Sequence, residues 1–147
     1  MSAPAADWDF PEPFTIDISP TPEDVDGFGH VNNLVYARWC VECAWAHSEA
    51  LGFSFDDYRR LGRGMVVHHH EFDYVGQAVE GERLLVATWV LENDGRLRMT
   101  RGYQIVRSRS GETLLRGSTR FVCIDMATLR PARMPRAFAE GYPPVQA

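Results

Sequence analysis

Hydrophobic and polar positions change their period along this 147-residue chain. Phe14-Thr-Ile-Asp-Ile-Ser (14–19) alternates and predicts a first strand. Ser-Pro-Thr-Pro-Glu-Asp breaks it. A turn of acids and glycines follows, and the apolar run after it predicts a helix over 33–51, closed by Gly52 in the position of a helix stop. Residues 53–64 predict a short helical or looped piece. From there the period is two, with strands expected at 65–75, 82–92, 96–107 and 113–125. Asp94-Gly95 marks one hairpin turn and residues 109–112 a second. Residues 1–13, with three prolines, predict a loose arm, and the proline-rich 131–147 predict a surface tail.

The helix carries three charged side chains, Arg38, Glu42 and Glu49. At about 100° per residue they fall within about 40° of one another. The rest of its circumference is almost wholly apolar, which requires enclosure. One enclosed helix followed by four antiparallel strands predicts an α+β fold, a curved sheet wrapped on a central helix. Cys40 and Cys43 lie inside that helix and are expected to act as small hydrophobic groups, not a redox pair. His47, opposite Arg38, is expected to be a buried, satisfied histidine.

Composition narrows the function classes. The length fits one domain with its own core. Three cysteines are too few and odd for a disulfide framework and point to a reducing compartment, hence a cytoplasmic protein. The first residues carry neither the basic start nor the apolar core of a secretory signal, and no stretch is long enough to span a membrane. A net charge of −5 gives no support to nucleic-acid binding. All fifteen basic residues are arginine. The absence of lysine excludes a Schiff base, a PLP site and a Walker lysine, so ligand phosphates must be met by arginine or backbone amides. No Gly-x-Ser-x-Gly or His-Glu-x-x-His string occurs.

Asp26-x-x-Gly29-His30-Val31-Asn32-Asn33, the apolar helix after it, Glu71-Phe-Asp-Tyr-Val-Gly-Gln-Ala-Val-Glu-Gly-Glu and Phe121-Val-Cys-Ile-Asp-Met-Ala-Thr-Leu-Arg-Pro-Ala-Arg-Met-Pro together resemble the hot-dog fold acyl-CoA thioesterases of the 4-hydroxybenzoyl-CoA thioesterase type. The resemblance covers roughly 14–135 and implies a hot-dog domain over 14–130. It departs at Gly76-Gln77, where that family commonly has Arg-Pro or Lys-Pro. It implies hydrolysis of an acyl-CoA or acyl-carrier-protein thioester without metal or organic cofactor. It also implies a homodimer or homotetramer joined along sheet edges, with no nucleic-acid or membrane partner. Asp26 matches the family's catalytic acid, and the amide of Asn33 the one that polarises the carbonyl. An R-specific enoyl-CoA hydratase or dehydratase on the same fold, or a non-catalytic acyl-CoA binder, is the alternative.

Thioester chemistry suits these residues. The leaving thiol has a pKa near that of cysteine, about 8.5, so no strong acid is needed. A base or nucleophile and a donor for the oxyanion remain to be supplied. Asp26 can serve as either the base or the nucleophile. Helix-start N–H groups can polarise the carbonyl. Gly27 and Gly29 let the backbone come close to a ligand. His30 is expected to orient Asp26 or the carbonyl, and Asn32 to stand at the helix start beside the substrate. Asp24 is expected to be a solvated turn residue. In Val66-Val-His-His-His-Glu-Phe-Asp-Tyr, alternation puts His68 and His70 on one face, near the pocket or a subunit seam. They lack a third spaced ligand, so no metal site is expected. Arg59, Arg60, Arg63, Arg96 and Arg98 are candidates for the CoA phosphates, with Arg60 and Arg96 foremost.

Overall fold

Side-chain caps and left-handed turns set the elements. The computed structural model describes residues 7–145. Strand β1 spans Phe14–Ile18 and gives way to a single 3₁₀ turn at Pro22–Asp24. Helix α1, Asn33–Ala50, starts where the Asn32 side chain accepts from the Leu34 amide at 2.9 Å. Helix α2, Phe55–Leu61, begins with a reciprocal Ser54–Asp57 capping box and stops at Gly62 (φ +67°). Then come β2 (Arg63–Tyr74), β3 (Leu84–Asn93), β4 (Arg98–Arg107), β5 (Thr113–Asp125) and a last helix, α3 (Arg136–Gly141). The β3–β4 turn is fixed by Asp94, whose Oδ1 accepts from the amides of Arg96, Leu97 and Arg98 at 2.8, 2.7 and 3.0 Å.

The strands form one antiparallel sheet in the order β1-β3-β4-β5-β2. Its inner face packs on α1 as expected: Tyr36, Trp39, Cys40 and Cys43 meet Leu84, Val86, Tyr103 and Ile105 in one buried cluster. Burial pushes the Cys43 thiol up to about 12 and that of Cys40 higher still, so both stay protonated hydrophobes. Enclosure of α1 is incomplete. Leu34 is 77% exposed and Val41 38%. Among the described residues no helix is long and apolar enough to cross a membrane.

Both chain ends depart from expectation. Of the arm, residues 1–6 lie outside the described residues. Residues 7–13 are not loose: Trp8 and Phe10 pack edge-on against Trp89, and Arg116 binds Asp9 at 2.7 Å, all on the outer sheet face. The tail is not superficial either. Phe138 and Tyr142 are fully buried and form a second cluster with Phe53, Tyr58, Val90, Met99 and Met134. Prolines 131, 135, 143 and 144 delimit this segment instead of unravelling it; Pro135 sits at the amino end of α3.

Candidate active site

The turn before α1 closes on itself. The Asp26 amide donates to the His30 carbonyl (2.8 Å) and the Gly29 amide to the Asp26 carbonyl (3.0 Å), with Gly29 at φ +80°. Only glycine takes that angle without strain. Asp26 Oδ1 accepts from the amides of Phe28 (2.9 Å) and His30 (3.4 Å). Oδ2 makes no hydrogen bond among the described residues, and the side chain is exposed. His30 touches Asp26 through its backbone; its ring is exposed and makes no hydrogen bond to that carboxylate.

Asp24, expected in solvent, is the buried acid of the pair. Its carboxylate accepts from the Thr21 amide at 2.9 Å and from Arg38 at 2.9 Å, while its carbonyl accepts from the Asn32 amide. The Thr21 amide, with Arg38, holds this carboxyl below the usual carboxylate value. Asp24 thus clamps the turn to α1, and Asp26 is left facing outward.

At the helix start the amides of Leu34 and Val35 are taken by Asn32. The amide of Asn33 makes no hydrogen bond among the described residues, so it is the donor that remains. Beside it lies a cleft of about 200 Å³ walled by Asn33, Tyr36 and residues 74–77. Tyr74 Oη donates to the Asn33 carbonyl at 3.1 Å, and the Tyr36 hydroxyl accepts from the Ala78 amide at 2.9 Å, tying this wall to the helix. Gly76 fits here against Leu114, where a Cβ would lie 2.8 Å from a side-chain methyl.

The histidines separate. A bulge between Val67 and His69 shifts the register against β5, so His68 and His70 no longer share a face. His68 is exposed on the edge strand β2 and absent from the wall of the inner pocket described next, which leaves the expected alternative, a place at a subunit seam. His70 turns inward to Thr119 Oγ1 at 2.8 Å and lines that pocket. Among the described residues no three His, Cys, Asp or Glu side chains are grouped to hold a metal ion. Arg60 is exposed and pairs with Asp57 at 3.3 Å. Arg96 is exposed in the β3–β4 turn. Both sit at the Arg63 end of β2, whereas Tyr74 at its other end meets Asn33, so one protomer does not bring them to Asp26.

A second space of about 280 Å³ lies between the later half of α1 and the sheet. Val41, Ala44, Trp45, Met65, Val67 and Phe121 make it apolar, and Ser48, Tyr58, His70, Arg101 and Tyr103 add polar groups. Arg101 is 1% exposed. It contacts His47 Nδ1 at 2.7 Å and Ser48 Oγ at 3.0 Å, and its guanidinium lies 5.5 Å from the Tyr142 ring centre. Tyr142 donates to Ser48 (2.9 Å) and shares a 2.5 Å contact with Tyr58. Arginine at an inward register position of β4, between Met99 and Tyr103, is the signal in the sequence that could have exposed this site.

His47 is satisfied through Arg101, as expected, but it is half-buried, not enclosed. Burial, with the Arg101 charge, lowers its pKa to about 4. The unfolded chain therefore takes up a proton below about 6.5 that the folded chain refuses. Stability contributed by neutral His47 is full above that value and is lost as pH falls from about 6.5 towards 4. Urea midpoints should decline across that window, and the decline should be smaller in His47→Gln, whose amide oxygen still accepts from Arg101.

A family model described as "Thioesterase-like superfamily" matches residues 20–141. Solved structures share the fold. A 1,4-dihydroxy-2-naphthoyl-CoA thioesterase from Synechocystis superposes with a TM-score of 0.80 at 23% identity, covering 89% of this chain and 96% of that one. A DHNA-CoA thioesterase from Staphylococcus aureus gives 0.79 at 28% identity, covering 88% of each chain. A hypothetical protein from Staphylococcus aureus in complex with CoA gives 0.82 at 15% identity, over 92% of this chain and 85% of that one.

Proposed function

We propose, proceeding from the fact that this chain belongs to the thioesterase-like superfamily and has the hot-dog fold, that it hydrolyses an acyl-CoA or acyl-carrier-protein thioester to free acid and thiol. The observation that carries this is that, among the described residues, one carboxylate oxygen of the turn, Asp26 Oδ2, has no partner and one amide of the helix start that follows it, that of Asn33, has no acceptor. The thioester oxygen takes the hydrogen bond from the Asn33 amide and gains charge as the carbonyl carbon is attacked. With Asp26 as base, water attacks and its proton passes to the carboxylate. The tetrahedral intermediate then expels the thiolate, which takes that proton. With Asp26 as nucleophile, its carboxylate attacks the carbonyl carbon, the C–S bond breaks to expel the thiolate, and water opens the resulting acyl-aspartyl anhydride, regenerating the carboxylate and giving up a proton to the thiolate. Both routes end in acid and thiol.

The working unit is a homodimer or homotetramer. β2 is twelve residues long with one side unpaired, and its Val66 and Val67 are exposed, as are Phe28 and Leu34. A bare edge of that length invites a second strand. Antiparallel pairing of two β2 edges would lay the Arg60 and Arg96 end of one copy towards the Asp26 end of the other. That places those arginines where CoA phosphates could be met and covers the exposed carboxylate. Three free, buried cysteines fit a cytoplasmic setting.

A panel of acyl-CoA thioesters followed with a thiol-detecting dye tests the proposal. Thiol release from at least one member, with matching acid, is expected. Hydration of an enoyl-CoA without thiol release, or acyl-CoA binding without any turnover, would replace it with the hydratase or the binder.

A further inference from the structure

We infer that the space between α1 and the sheet is a binding site for an apolar group ending in a carboxylate or other anionic oxygen, with Arg101 as its anchor. A guanidinium removed from water needs a counter-charge or a full set of acceptors, and its burial is otherwise unfavourable. Among the described residues Arg101 has neither: its partners are a hydroxyl and an imidazole, with no carboxylate. The imidazole is neutral at physiological pH, since burial and the arginine itself lower the His47 pKa to about 4. The Nε–H of Arg101 makes no hydrogen bond among the described residues. No fully enclosed side-chain nitrogen or oxygen there lacks a partner, so Nε keeps some accessible surface, and Arg101 is among the residues lining the pocket. A five-donor fork with donors to spare, at the wall of an apolar cavity, suits an anionic oxygen on an otherwise hydrophobic body.

The mouth of the pocket, at Val41 and Val67, is on the same flank as the β2 edge. Val41 lies eight residues, about 12 Å, along α1 from Asn33. Two sources can therefore supply the ligand: the far end of a substrate's acyl group, which rests on the thioesterase function proposed above, or a separate small carboxylic acid, which does not.

Matched pairs separate the sources. Adipoyl-CoA and sebacoyl-CoA carry a terminal carboxylate that hexanoyl-CoA and decanoyl-CoA lack. If the acyl end occupies the pocket, kcat/KM favours the carboxylated member of at least one pair by about tenfold or more. Arg101→Met and Arg101→Gln would bring that ratio near one. If a separate acid occupies it, the thioester ratio stays near one. Hexanoate then raises the melting temperature of the whole protein where hexanamide does not, and the shift disappears in the Arg101 variants. Should no thioester be cleaved, the hexanoate measurement still decides. Circular dichroism checks that the variants fold. Ala44→Leu, which keeps Arg101 but narrows the cavity, must also abolish the carboxylate effect. No preference within either thioester pair together with no hexanoate shift, or a carboxylate effect that survives in the Arg101 and Ala44 variants, overturns the inference.

Discussion

Asp26→Asn is expected to lower kcat for thioester hydrolysis by about a thousandfold, the middle of the range for a positioned base. It should leave the fold and acyl-CoA binding almost unchanged. The asparagine amide oxygen can still accept from the Phe28 and His30 amides that Asp26 Oδ1 now holds. The turn therefore survives, and stability should move by no more than about 0.5 kcal/mol. Only the negative charge and the proton acceptor are removed, which makes asparagine a sharper test than alanine. Steady-state kinetics and calorimetric titration with a non-hydrolysable acyl-CoA measure the two halves. An asparagine variant with wild-type turnover would show that the carboxylate merely holds its turn.

Phe138→Ala should be among the most damaging single changes outside the site, at about 3–5 kcal/mol. The ring is fully buried against Phe53, Tyr58 and Tyr142, with centroids 5.4, 4.9 and 6.0 Å away. In a chain of this length the melting temperature should fall by about 10 °C or more. A loss below about 1 kcal/mol would mean that the segment after β5 is peripheral after all. Thermal and urea unfolding, followed by tryptophan fluorescence, give the answer directly.

The main elements were legible because each has a single dominant period. The helix repeats apolar residues all round, and the strands alternate, so local pattern and tertiary burial agree. What escaped was set by contacts between distant segments. His68 and His70 share a face on any regular strand; one additional residue in the ladder separates them, and nothing in Val-Val-His-His-His marks which residue is extra. Asp24 and Asp26 stand two apart in the same acidic turn. Only the Thr21 amide before the turn and Arg38 on the helix beyond make the first a buried clamp while the second stays exposed. Residues 136–142 look like tail because prolines bracket them, yet the cavity that Phe138 and Tyr142 fill is built by residues as far away as Phe53 and Val90. Arg101 was hidden by its own charge: inward register argued for burial, residue type argued against, and only coordinates decide between them.

Tyr142 carries a consequence for truncation. Its hydroxyl binds Ser48 and its ring faces Arg101, yet it follows all five strands in the chain. A polypeptide cut just before this residue would retain every strand and α1, but its Arg101 guanidinium would keep only His47 and Ser48 as hydrogen-bonding neighbours. Clipping at this end would therefore unsettle the interior around Arg101 while leaving the β-scaffold complete.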